Sequence, residues 1–410
     1  MKTHHILLPG ILAILLFSCK DEPVKPEMKN IVLTPVQKSM LSAGNEFAFH
    51  LLQQVNNGEK AKDQFFISPY SAAEALSMTL NGAAGATSDS MVMVLGYSGM
   101  DSATINGYCK TLRTTLLSVD PKVKLAIANS IWYQQDFYVL PDFIQTNASY
   151  FDAVVQELNF FDPGAKDIIN AWIETKTNGR IEDMIKEIEP DIVMFLINAL
   201  WFKGEWSSRF ETGNTKQENF YPFPGASFET PMMHQKQTYN YFANNLVQIA
   251  ELPYGRGNFA MTILLPADGK TVDDVIAELS PENWDSWIHS LSEQKLVLTL
   301  PKLKFEYELK MNDALKALGM GIAFCEGCAD FTRINPDGGL YISYVQQNTF
   351  LEVNEAGSEA AAATVVAVGK TSAGPDEEIS FVVNKPYLFM ITERSTGAIL
   401  FSGRINKPTY

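Results

Sequence analysis

The stretch from Phe350 to Tyr387 constrains the fold more than any other, because its local signals point to different structures. A strand-like FLEVNEAG is followed by the small-residue tract SEAAAATVVAVG, the polar turn KTSAGPDEE and then ISFVVNKPY. Ala360, Ala361, Ala362 and Ala363 favour helix, Val365 and Val366 favour strand, and Gly357 permits backbone angles that other residues resist. Taken as a strand, Ser358, Ala360, Ala362, Thr364, Val366 and Val368 fall on one face, where small side chains slide between crowded neighbours. The segment is expected to be a surface loop able to become a buried strand, with Gly357 as hinge and residues 370–378 as an exposed, cleavable tip. Composition alone leaves an alanine-rich loop or short helix with no second state as the alternative.

The rest of the chain alternates helical and strand patterns. Helical spacing of Phe47, Leu51 and Val55 predicts a helix over 41–55; residues 65–71 go from buried strand to turn and residues 72–81 from turn into a helix that closes on Gly82 and Gly85. Residues 125–134 nearly alternate as a strand, and Ile168, Ile169, Trp172 and Ile173 share a face of a helix expected over 167–185, with Asn178-Gly179 as its stop. Residues 193–202 form an apolar strand suited to the middle of a buried sheet. A strand over 297–303, an amphipathic helix over 309–319 and strands over 340–345 and 350–353 then lead into the small-residue tract. No Pro/Gly/Ser linker, repeat or charge block marks a second domain, and a hydrophobic content of 46% supplies a sizeable core. The net charge of −15 argues against nucleic acid or an anionic membrane surface as a partner.

At the start, a Lys2/His4/His5 head and an apolar run from Ile6 to Phe17, broken by Pro9-Gly10, are too short for a permanent membrane span and describe a signal peptide over 1–18. Leu16-Phe17-Ser18-Cys19 resembles a bacterial lipobox, which implies lipidation of Cys19 and an outer-membrane anchor; an ordinary secretory signal with an incidental Cys is the alternative. Lys20-Asp21-Glu22 resembles the charged tag that sends some Bacteroidetes lipoproteins to the cell surface. Residues 19–36, with Pro23, Pro26 and Pro35 among charges, suit an extended tether, and the folded domain is expected over 37–410.

Candidate chemistry is sparse. Beyond the leader, only His50, His234 and His289 could act as a base, each with an ordinary place on a helix or strand end, and the nucleophile-elbow, zinc-protease and phosphate-loop motifs are absent from the sequence. Cys109 is solitary. Cys325-Glu326-Gly327-Cys328 has no further ligands nearby for zinc and no thioredoxin-like context, which leaves a local disulfide or two free thiols. No metal and no cofactor are expected, and the chain is not expected to be an enzyme.

The strings EVNEAGSEAAAAT and NKPYLFMITERSTGAILFSGRI resemble the hinge and tail of the serpins, serine protease inhibitors, as do FISPYSAAEALSMTLNGAAGAT, FFDPGAKDIINAWIETKTNGRIEDMI, INALWFKGEWSSRF and PKLKFEYELKMNDALKALGM other parts of that family. The resemblance implies an α+β fold: a single large domain with a central, mostly antiparallel sheet, further sheets, about eight or nine helices and an exposed reactive-centre loop over about 355–380. It implies a monomeric suicide substrate of serine and, by extension, cysteine proteases, trypsin-like first and elastase- or subtilisin-like second, with a non-inhibitory binding or structural protein as the alternative. It assigns the loop hinge to Glu355, Gly357, Ser358, Glu359, Ala360, Ala361, Ala362 and Ala363, and control of sheet opening to Ser68, Ser71, Asn198, Trp206 and Gln347. The residues themselves also allow helix-capping serines and an ordinary buried tryptophan. The family's spacing from Glu355 puts the reactive bond at Thr371-Ser372, but Lys370-Thr371 is preferred because a cation is the stronger recognition element. Gln347-Asn348 stands where many serpins have His-Lys, so no titratable trigger is expected at that position.

Overall fold

The computed structural model describes residues 28–358 and 378–410. The expected signal peptide, Cys19, residues Glu359 and Ala360 to Ala363, and both candidate bonds among Lys370, Thr371 and Ser372 lie outside the described residues. Among the described residues there are nine α-helices and two sheets.

The six-stranded sheet carries the candidate site. Its order is Leu303–Lys310, Gln346–Asn354, Gly357–Ser358, Met194–Glu205, Val123–Gln134 and Val154–Leu158, with only the last pair parallel. We call Gln346–Asn354 the feeder strand, Met194–Glu205 the far strand and Gly357–Ser358 the hinge strand. The other strands form one continuous nine-stranded sheet, which includes the C-terminal hairpin Tyr387–Glu393 and Ala398–Ile405. Aromatic rings run from one sheet to the other: Phe66 stacks on Phe401 at 5.0 Å, Phe401 meets Phe202 at 6.3 Å, and Phe202 meets Tyr254 at 5.1 Å. Each such pair adds about 0.5–1.5 kcal/mol beyond its buried area, so the contacts fix how the far strand sits on the core.

Several boundaries differ from expectation for identifiable reasons. The first helix is Pro35–Gly58, because Thr34 caps it, Gln37 completes a capping box and Pro35 supplies the preset first position. The chain also packs on the body before residue 37: Lys29 exchanges hydrogen bonds with Asn258 at 3.1 and 2.6 Å, and Leu33 is buried. Ser68 moves the start of the second helix to Pro69–Leu80 by accepting from Ser71 N.

The helix expected over 167–185 is Ala165–Lys176, with Asn178 and Gly179 at positive φ beyond it; Ile169 and Ile173 face inward whereas Ile168 is 47% exposed. The strand expected over 297–303 is broken at Lys302, and its two parts belong to different sheets. The 309–319 helix shrinks to Asn312–Leu315 followed by a wider turn over Lys316–Met320 with Gly319 at φ 115°. Residues 340–345 are not strand; pairing starts at Gln346. Cys325 and Cys328 are joined as a disulfide, and Cys109 is a buried free thiol whose pKa burial pushes up to about 12.

Candidate functional site

The hinge strand is already part of the sheet. Gly357 pairs with Asn354 and Glu205, and Ser358 pairs with Val353 and Gly204, antiparallel on both sides. Only glycine fits first: Gly357 has φ 150°, and an added Cβ would lie 2.1 Å from Gly204 O and 2.6 Å from the Glu205 Cα. Ser358, expected in the loop hinge, is 2% exposed, and its hydroxyl lies 2.6 Å from the Tyr254 hydroxyl. Tyr254 stacks on Trp206 at 4.4 Å. Trp206 in turn donates its indole N–H to Asn354 O and its backbone N–H to Ala356 O, each at 2.9 Å. Trp206 is thus a hydrogen-bonded clamp on the bend at 354–356, beyond its packing role.

Glu355 anchors the same bend. Its carboxylate accepts from Thr215 Oγ1 at 2.7 Å and pairs with Lys302 at 3.0 Å, and its backbone carbonyl accepts from Phe210 N. Partial burial pushes the Glu355 carboxyl up, but the hydrogen bonds and the Lys302 charge outweigh it and hold the group below its usual range. Lys302 also lies 4.0 Å from the Tyr410 ring.

Farther along the seam, one helix start holds both flanking strands. Ser68 N donates to Gln347 Oε1 at 2.7 Å and Gln347 Nε2 donates to Ser68 O at 2.9 Å, which ties the feeder strand to the Pro69–Leu80 helix. The Ser71 hydroxyl donates to Asn198 Oδ1, which ties the far strand to the same helix. Asn198 Nδ2 donates to Asn129 Oδ1 at 2.6 Å and points at the Glu74 carboxylate at 3.4 Å. Inserting a strand would spread its neighbours by about 4.8 Å, so opening must break one of these two ties. Ser68 caps the helix with its hydroxyl and meets the feeder strand through its backbone, and the Ser71 hydroxyl meets the far strand, so the capping reading holds for Ser68 and is compatible with the sheet-opening reading. A cleft of about 220 Å³ continues the seam, lined by Ile192, Met194, Phe331, Ile334 and Tyr344 together with Ser71, Asn198 and Gln347.

The structure therefore brings Glu355, Gly357, Ser358 and Trp206 together at one end of the seam, and Ser68, Ser71, Asn198 and Gln347 together farther along it. Sequence reasoning missed Tyr254, Lys302, Asn129, Glu74 and Arg113. Glu74 carried a usable signal: it is the one charge in the apolar helical run SAAEALSM. The histidines do not gather; His50 is on the first helix, His234 pairs with Glu218 and Thr299, and His289 bonds Asp285 O.

Gly357→Ala should cost about 1–3 kcal/mol locally and expel the hinge from the seam; limited proteolysis should then cut residues 356–358 faster than in wild type, and an unchanged cutting rate would contradict the fit. Because the folded-state pKa of Glu355 is lowered, its stabilisation is present above its ordinary value of 4.5 and is lost as pH falls through the lowered one. The native melting temperature should therefore drop below about pH 4.5, and Glu355→Gln should reduce that drop; an identical pH profile in the variant would refute the assignment.

The serpin (serine protease inhibitor) family model matches residues 42–408. A serpin-like protein of Thermococcus kodakarensis is 32% identical over 91% of this chain and 86% of its own length. Among solved structures, the thermophilic serpin tengpin in its native state aligns with a TM-score of 0.83 and 31% identity, covering 92% of this chain and 96% of tengpin. Human thyroxine-binding globulin in complex with thyroxine aligns with a TM-score of 0.83 and 26% identity, covering 91% and 100%. With the family model spanning nearly the whole described body and the hinge seated in the central sheet, this chain belongs to the serpin family.

Proposed function

We propose that this chain is a stoichiometric trap for serine proteases and, by the same acyl chemistry, for cysteine proteases. The observation that carries the reading is the hinge strand: Gly357 and Ser358 already lie between the feeder and far strands. Six residues further in the same register, Thr364 would stand opposite Asn198 on one side and Gln347 on the other. Ala360 and Ala362 would share the inward face with Ser358. The inserted strand would pair its backbone groups with both neighbouring strands over roughly a dozen residues. The uninserted state is then held by a kinetic barrier, which the ties at Ser68 and Ser71 supply.

In the trapping reaction the protease serine oxygen attacks the carbonyl carbon of Lys370, the bond to Thr371 breaks, and the Thr371 amine leaves with a proton. The thirteen residues from Ser358 to Lys370 give about 43 Å of strand, enough to carry the tethered protease across the domain. That pull takes its catalytic groups and oxyanion hole out of register, so water does not release the acyl group. Trypsin-like enzymes are the first targets because Lys370 suits a carboxylate-based pocket; Thr371-Ser372 suits elastase- or subtilisin-like ones. The likeness to thyroxine-binding globulin favours a second reading, a serpin-fold carrier or structural protein that never traps a protease.

Mixing the mature chain with trypsin should give an adduct that survives boiling in detergent and release a C-terminal peptide beginning at Thr371. A peptide beginning at Ser372 would move the bond by one residue, and loop cleavage without any adduct would favour the second reading. We also place the protein on the outer membrane, exported by residues 1–18 and anchored through Cys19, with Lys20-Asp21-Glu22 favouring the outer surface. Cys19→Ala should move it from the membrane fraction to the soluble fraction of its host with inhibition intact; continued membrane partition would reject the anchor.

A further inference from the structure

A buried ion pair lies behind the seam, and the trapping reaction makes no use of it. Glu74, on the Pro69–Leu80 helix, is 3% exposed, and Arg113, on the Ser102–Ser118 helix, is 4% exposed. Arg113 Nη1 meets Glu74 Oε1 at 2.9 Å, its Nη2 donates to Tyr150 O at 2.8 Å, and its guanidinium lies 6.0 Å from the Phe151 ring. Burying two charges in this way is not an economical route to stability, since an apolar pair of similar size usually does as well.

The carboxylate and the Phe151 carbonyl, both acceptors only, together set the direction of a chain of hydrogen bonds. An ionised carboxylate only accepts, and two amides turn their NH2 groups toward it: Asn198 Nδ2 at 3.4 Å from Oε2 and Asn129 Nδ2 at 3.5 Å from Oε1. Those orientations leave Asn129 Oδ1 to accept from Asn198, Asn129 Nδ2 to donate to Phe151 O at 2.7 Å, and Asn198 Oδ1 to accept from the Ser71 hydroxyl. Asn129 and Asn198 sit opposite each other on the two strands that must move against the helix when the seam widens. Glu74 and Arg113 sit on the helices behind them.

We propose that Glu74 is a positioning residue for sheet opening: its carboxylate, held in place by Arg113, orients Asn129 and Asn198 so that Ser71 keeps the far strand tied until the loop is cut. The inference rests on the trap reading, and it assigns the height of the opening barrier to a pair outside the hinge and the seam. Glu74→Gln presents a donor to the two amides and leaves Arg113 without a counter-charge. Glu74→Leu with Arg113→Met removes both charges and keeps the volume, but it also removes the acceptor.

The test measures opening without a protease, by the rate at which a synthetic peptide of residues 359–370 anneals into the full-length chain, alongside the melting temperature of the peptide-free protein. Annealing should be about tenfold faster in both variants, while the melting temperature falls in Glu74→Gln and returns toward wild type in the double variant. If the annealing rate follows the melting temperature, fast in the single variant and wild-type in the double, the pair is merely structural and the proposal is overturned. Wild-type annealing rates in both variants overturn it equally. A Glu74→Gln chain that does not fold leaves the double variant to decide on its own rate. A wild-type chain that neither anneals the peptide nor forms a protease adduct overturns the trap reading itself, which separates the two failures.

Discussion

The backbone donors and acceptors of the feeder and far strands meet through two residues, Gly357 and Ser358, and the behaviour of the whole molecule depends on that junction. A buried N–H or C=O without a partner costs free energy comparable to a lost hydrogen bond, so a seam between strands either closes or takes a strand in. The hinge strand is the start of the second solution. Everything around it keeps that start in place without extending it: Trp206 clamps the bend, Lys302 and Thr215 hold Glu355, and Tyr254 meets the Ser358 hydroxyl.

Farther along, polar side chains tie both strands to one helix start. Apolar contacts slide with little change in energy, whereas a hydrogen bond lost in a dry site leaves unpaired groups behind. Ser68 and Ser71 stand three residues apart at one helix start, so a single rigid element grips both strands. Gln347 keeps its bonds to Ser68 across the physiological pH range, because an amide does not titrate. Burial pushes the Glu74 carboxyl above its usual range, against the opposing pull of Arg113, so this group is held by geometry at some electrostatic cost.

Much of the site is legible in the amino-acid order, and the reasons are local. Gly357 followed by Ser358 and, after Glu359, four alanines states a steric requirement in the sequence itself, and Ser68-Pro69 writes a helix start in two residues. Ser68, Ser71, Asn198 and Trp206 stand out through family-like strings and Gln347 through a departure from the family pattern, and all five make contacts at the seam. Element ends are less legible: the register of Ile168 turns on where the helix starts, and residues 340–345 carry a strand-like pattern that the packing does not use. Glu74, Arg113, Asn129 and Tyr254 are hidden because their roles arise from contacts between residues 39 to 124 positions apart, which no local pattern encodes.

What the amino-acid order determined alone is the set of possible states: a small-residue tract compatible with both loop and strand, capped helices, apolar strands and an α+β domain. Propensity, side-chain size and capping act over a few residues, so they are written into the chain directly. Which state the hinge occupies was decided only by tertiary structure. The fit of Gly357 against Gly204, the clamp at Trp206 and the orientation of Asn198 by a buried carboxylate all require distant segments to be brought within van der Waals or hydrogen-bond distance. The balance between a closed seam and an added strand is a difference of long-range contact energies, and it exists only once the sheets are packed.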